Sequence, residues 1–330
     1  MDDLLFIASS EGLVVGERQD GDWREVRRGL AGQYVTCVSA GGGILLAGTN
    51  DGIRRSEDAG QSWQEADQGL GIRHVRWLAH HPTVDGLAFA GSEPAGIFVT
   101  RDGGATWRGC PEVERLRDQH HWFLPYSPGA GCVRSFACHG ARIYAAVEVG
   151  GVLRSDDYGA TWRLVEGSTG DPDFHKPVPR TFIHPDVHEI AVVPNTAGAL
   201  FAATQQGLYR SIDGGKKWLH VYADCYIRAL WIDPVDPQHL IAGPADDVSV
   251  NGQIEESRDE GWSWTVATAG LPGPWRRAVV ERLTPIGDEL FAVISNGQLF
   301  AAPLEMLEWR RVLADLPEIT GVASTTSAPA

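Results

Sequence analysis

Short apolar runs, each closing on small or polar residues, succeed one another along the whole chain. One set reads "YVTCVSA" (34–40), "HVRWLAH" (74–80), "CVRSFAC" (132–138), "DVHEIAV" (186–192) and "YIRALWI" (226–232). A second set follows it: "ILLAGT", "LAFAGS", "IYAAVE", "LFAATQ" and "LIAGPA". A third set reads "GIRRS", "GIFVT", "GVLRS", "GLYRS" and "QIEES", and a fourth run begins at a tryptophan shortly afterwards. Runs this short, rich in β-branched and aromatic residues and bounded by turn formers, predict strands. Four strands per unit, joined by turns, predict the blade of a β-propeller.

Between the third and fourth runs of five units lies one pattern, S/T-x-D-x-G-x-x-W. It occurs as "SEDAGQSW" (56–63), "TRDGGATW" (100–107), "SDDYGATW" (155–162), "SIDGGKKW" (211–218) and "SRDEGWSW" (257–264). Copies about 45–55 residues apart are the signature of a repeat array. Within each copy the aspartate can accept backbone N–H groups across a tight turn, and the glycine supplies a positive φ. The hydroxyl adds a local bond, and the tryptophan buries a large surface between units. Five repeats of one pattern argue for a building block rather than five calcium or sugar sites.

Two further units lack an intact pattern. Residues 279–312 keep the strands and Trp309, and residues 4–26 keep three strands and Trp23 without a first strand. "EITGVAS" (318–324) matches a first strand with nothing after it. The economical arrangement has this strand completing the N-terminal blade, which closes the ring and removes both open sheet edges. The chain is therefore expected to be all-β: a single seven-bladed propeller over 1–324, with a tail over 325–330.

The five patterns resemble the Asp-box (BNR) repeats of sialidases, sortilin-type receptors and the photosystem II assembly factor. The resemblance spans nearly the whole chain and implies a propeller fold. It implies that the boxes lie on the rim opposite the ligand-binding face, so that loops entering the first strands, and those joining second to third strands, build that face. Sialidases of this type are usually six-bladed and carry an Arg-Ile-Pro signature. No such tripeptide occurs here, so sialidase activity is not expected.

Composition narrows the classes. A net charge of −15 disfavours nucleic acid as a partner. No run approaches the ~18 apolar residues of a membrane span, and the acidic start "MDDLLFIASS" lacks the basic n-region of a secretory signal, so no membrane insertion is expected. Five cysteines without a C-x-x-C pair fit a reducing, cytoplasmic setting.

Alignment of the first strands gives one polar column: Thr36, Arg76, Arg134, His188, Arg228, Glu281 and Thr320. The apolar flanks belong in the blade stacks, so alternation places this column on the wall of the central channel. Clustered arginines favour a carboxylate or phosphate ligand, whereas pairing with Glu281, Glu189 or backbone carbonyls would make the same column structural. Two long connections, 112–131 and 166–185, should sit on the same face and flank the fourth blade. They bring His120, His121, His175 and His184 to the side of His188, a candidate set for a transition metal as cofactor. Trp122 and Tyr126 are candidates for an apolar wall over a ligand.

Three functions follow as expectations. The first is a binding protein for an anionic small molecule or glycan, held by Arg76, Arg134, Arg228, His188, Glu281, Trp122 and Tyr126. The second is a metal-dependent enzyme in the same cleft, with His188 and Glu281 as catalytic groups. The third is an assembly scaffold that presents the arginine face to a protein partner. No G-x-S-x-G, H-E-x-x-H or P-loop pattern points to a reaction.

Overall fold

A computed structural model describes residues 4–124, 131–173, 176–272, 275–314 and 316–325. Seven four-stranded antiparallel sheets follow one another around a ring. Blades 2 to 7 take their strands in chain order, each first strand lying innermost. Their first strands are Val35–Gly41, Val75–His80, Cys132–His139, Val187–Val192, Tyr226–Ile232 and Val280–Ile286. Blade 1 is closed across the termini. Its first strand is Ile319–Ser324, which pairs antiparallel with Leu4–Ser9 in the register Ile7 to Val322. The expected seven-bladed ring and its mode of closure are both present.

The core is divided among the blade interfaces. One buried apolar cluster lies between each neighbouring pair, such as Cys37, Leu46, Val75, Ala90 and Trp107 between blades 2 and 3. Another, with Ile7, Val14, Phe291 and Val322, joins blades 7 and 1. The second strands are buried on both faces by the neighbouring blades, which is why they read as near-continuous apolar runs rather than alternating ones, whereas the outermost fourth strands are largely exposed.

All five boxes form the same turn. Ser56 Oγ donates to Asp58 Oδ1 (2.7 Å) and accepts from the Gly60 N–H (2.9 Å). Asp58 in turn accepts the backbone N–H of Ser62 (2.9 Å) and the Ser62 hydroxyl (2.5 Å). The glycine is required because its φ is +78°. Equivalent bonds recur at Asp102, Asp157, Asp213 and Asp259, with Lys217 giving only its N–H to Asp213. Several aromatic side chains in and beyond the boxes tie one blade to the previous one. The indoles of Trp107 and Trp309 donate to the carbonyls of Ala66 (3.0 Å) and Ala267 (2.9 Å).

The connection 112–131 departs from the expected loop. Residues Pro111–His120 form an α-helix, α1. Pro111 sits at its first position, Glu112 and Glu114 occupy the first turn, and Arg117 and His120 the last, an arrangement that complements the helix dipole. Val113 buries into the interface of blades 3 and 4, and Arg117 donates to the Ala95 carbonyl (3.1 Å). Among the described residues no helix is long and apolar enough to cross a membrane.

Candidate functional site

Every first strand breaks its ladder at the polar column. Val35 pairs with Thr49 and Cys37 with Gly48, so Thr36 is left over; Arg76, Arg134, His188 and Glu281 are skipped in the same way. In blade 6 the slip takes in Arg228 and Ala229, and in blade 1 it takes in Thr320. A bulge of this kind re-aims side chains and adds twist; in blades 3 and 7 both successive residues, Arg76 with Trp77 and Glu281 with Arg282, reach the same space.

These bulges build a polar cavity of about 220 Å³ at the mouth where the first strands begin. Arg76, Arg134, Arg228 and Glu281 line it, as do Thr36 and Thr320. The boxes, which follow the third strands, lie on the opposite rim by the up-and-down order of each blade. The second bulge position adds Trp77 and Arg282, and the loops add Tyr34, Ser295 and Glu318.

Carboxylates hold three of the four arginines in place. Arg76 faces Glu93 at 3.6 Å, and Arg134 faces Glu148 at 3.4 Å and Glu281 at 3.3 Å. Arg228 makes a short contact with the other Glu281 oxygen and donates to the Tyr226 hydroxyl. Burial pushes the Glu281 carboxyl up, but Arg228 and Arg134 more than offset it and hold the group below the usual carboxylate range. Arg282 differs. Its guanidinium lies 3.9 Å from the centre of the Trp77 ring and donates to the Thr36 carbonyl at 3.3 Å. Among the described residues it has no carboxylate within ion-pair distance. Burial lowers its pKa to about 10, which leaves it cationic at neutral pH. Burial likewise raises the nearby Glu189 carboxyl to about 8.

The remaining column members serve the ring itself. Thr36 and Thr320 donate to the Val75 and Val35 carbonyls of the next blade, and His188 Nδ1 bonds the Ile227 carbonyl at 2.7 Å. In each case the acceptor is the residue just before the next bulge. A column side chain thus bonds across the blade junction, beside the interrupted ladder.

The structure corrects several candidate positions. His188 is buried and absent from the cavity lining, so it is not placed to touch a ligand there. Trp122 is 1% exposed in the core between blades 3 and 4, with its indole donating to the Gly170 carbonyl (2.9 Å), and so forms no ligand wall. Among the described residues, the candidate histidines His120, His121, His184 and His188 form no cluster of their own. His120 stacks beside Trp122, His121 ends α1 in the left-handed region, and His184 is buried, accepting the Asp186 N–H (3.2 Å). Glu281 is pinned between two guanidiniums, which does not suit a proton-transferring catalyst. Tyr126 and His175 lie outside the described residues.

Sequence reasoning missed Arg282, Trp77, Glu93 and Glu148. The signal was the failure of alternation: polar residues at two successive positions in "VRS", "VHE" and "VER" mark a bulge. Glu93 and Glu148, at the ends of second strands, read as turn residues until the blades are assembled.

No family model matches the chain. Over 209 residues it is 25% identical to an oligoxyloglucan-reducing end-specific xyloglucanase of Emericella nidulans, a match covering 54% of this chain and 25% of that protein. The chain therefore spans about a quarter of the length of that relative. Among solved structures, an ancestral GH74 enzyme superposes with a TM-score of 0.60 at 16% identity, covering 89% of this chain and 38% of the other. YCF48 bound to D1 peptide superposes with a TM-score of 0.58 at 14% identity, covering 93% and 89%. Likeness at this level establishes the seven-bladed propeller, and the relatives' own activities stay with the relatives.

Proposed function

We propose that the protein binds a small anionic ligand, an acidic sugar or similar carboxylate-bearing molecule, in the arginine-lined cavity at the channel mouth. The observation that carries this reading is Arg282. It is a cation 3.9 Å from the centre of an indole ring at the wall of a polar cavity, bonded to one backbone carbonyl and with no carboxylate at ion-pair distance among the described residues. A planar guanidinium so held is preorganised for a carboxylate. Arg76 lies on the same wall with 28% of its side chain exposed. The aromatic faces of Trp77 and Tyr34 suit the apolar side of a sugar ring. Xyloglucan-acting relatives favour the glycan class. The pinned Glu281 favours binding over hydrolysis, because glycoside cleavage needs a carboxylic acid with a raised pKa beside a second free carboxylate.

A second reading has one observation behind it. A structural neighbour is seen with a bound peptide, and the arginine-lined rim here fits an acidic peptide or chain terminus as the occupant.

Calorimetric titration with glucuronate, galacturonate oligosaccharides, neutral xyloglucan oligosaccharides and an acidic peptide separates these. Anionic sugars are expected to bind, with affinity falling as salt rises. Arg282→Met should weaken binding at least tenfold, ~1.4 kcal/mol. Equal binding of neutral oligosaccharides by wild type and Arg282→Met would overturn the reading. Binding of the acidic peptide alone would replace it with the scaffold.

A further inference from the structure

At the junction of blades 4 and 5, behind the cavity wall, three side chains converge: Glu148 at the end of a second strand, Asp186, and His188 of the next first strand. One ligand atom from each lies within 4.8 Å of the others. They are 5%, 8% and 2% exposed. Burial of two carboxylates and an imidazole at one point is costly unless something positive compensates them.

The hydrogen bonds define which atoms point inward. Because the partner of His188 Nδ1 is a carbonyl, that nitrogen carries a hydrogen. A bond of this kind to a backbone carbonyl is the usual outer contact of a metal-binding histidine, and it turns Nε2 inward. Nε2 faces Asp186 Oδ1 at 3.4 Å, and neither atom makes a hydrogen bond. A charged N–H···O contact would close to roughly 2.7–2.9 Å. A tetrahedral metal site with bonds of ~2.1 Å has ligand–ligand edges of ~3.4 Å. The edge between Nε2 and Oδ1 has the second length, and the Glu148 carboxylate lies within 4.8 Å of both atoms, a small rotation from completing the face.

We propose that Glu148, Asp186 and His188 form a binding site for a divalent transition metal of the zinc class. One imidazole and two carboxylates suit zinc, manganese or iron. The site shares only His188 with the loop-histidine set. Arg134, whose Nη1 lies 3.4 Å from Glu148 Oε2, holds that carboxylate from the cavity side. Cys132 Sγ stands 3.9 Å from the same oxygen, close enough to serve as a further soft ligand after a small shift. A metal here would tie blade 4 to blade 5 at the channel mouth and add positive charge behind the arginine wall.

The test uses untagged full-length protein, stripped with EDTA and dialysed against Zn²⁺ alone, with metal measured by mass spectrometry. About one equivalent per chain is expected, with a rise in melting temperature on adding Zn²⁺. His188→Gln and Asp186→Asn should lose both responses, their folding checked by circular dichroism. Should those variants not fold, Co²⁺ added to wild type should give the intense visible bands of a four-coordinate site, and Glu148→Gln should weaken them. Folded wild type that takes up neither metal would overturn the proposal. So would a folded His188→Gln or Asp186→Asn variant that retains a full equivalent. The Arg282→Met titration is independent of both outcomes.

Discussion

A single box carboxylate is the smallest unit on which the fold depends. Burial pushes the Asp102 carboxyl up, but the Thr106 hydroxyl, the Thr106 N–H and the Thr100 hydroxyl outweigh it and bring the group from 3.8 to about 2. A carboxylate depressed in the folded state stabilises above its unfolded pKa and loses that contribution as pH falls through its folded value. The window is therefore pH 3.8 down to about 2. Asp102→Asn should lower the denaturation midpoint at pH 7. The gap between variant and wild type should shrink towards zero near pH 2, as followed by urea unfolding at several pH values. A gap that is constant across that window would mean that the charge on Asp102 is irrelevant. At this same scale the box was legible in the chain, because its bonds run between residues two to four positions apart. Arg282 was not: whether it faced the channel depended on a bulge that strict alternation cannot contain.

First strands supply the joints between blades. A bulge interrupts the ladder in each of them, and in three junctions the preceding blade offers a side chain to a carbonyl beside the break: Thr320 to Val35, Thr36 to Val75 and His188 to Ile227. Removing such a donor leaves a buried acceptor without its bond, which costs roughly 1–3 kcal/mol. Thr36→Val keeps the shape and removes the hydroxyl, so it should destabilise by about that amount. Thr36→Ser should recover most of the loss. Thermal and urea unfolding of both variants measure it, and a Thr36→Val protein as stable as wild type would show that the bond contributes nothing. The polar column itself was visible from alignment of the strands. Its division into cavity-lining arginines and junction-bonding threonines and histidine was not, because that depends on which carbonyl a neighbouring blade brings within reach. The helix α1 was likewise missed, although Pro111, Glu112 and Glu114 carry the start signal, because the run is short and only Val113 among its residues is fully buried.

The whole molecule is an acidic ring around a cationic mouth. With a net charge of −15 the surface would repel anions, yet four guanidiniums gather where the first strands begin. Clefts with charges of one sign focus the local field, so the anion binding proposed above would depend on the ring holding all its blades in place. Closure is what holds them. Ile319–Ser324 supplies the inner strand of blade 1, buries Ile319 and Val322, and carries Thr320 to its bond with Val35. Burial of two such side chains alone contributes ~3–6 kcal/mol, a large part of an ordinary domain's stability. Deleting residues 318–330 should therefore abolish cooperative unfolding and leave an edge that aggregates. A permuted chain that starts at residue 316, joins residue 324 to residue 4 by a short linker, and ends after residue 313 should fold. It keeps every pairing and turns the closing strand into an ordinary hairpin, so its melting temperature should lie within a few degrees of wild type. Scanning calorimetry with size-exclusion chromatography decides the matter. Should the deleted chain melt like wild type, the ring would not need its closing strand, and the cavity would have to be held by the six other blades.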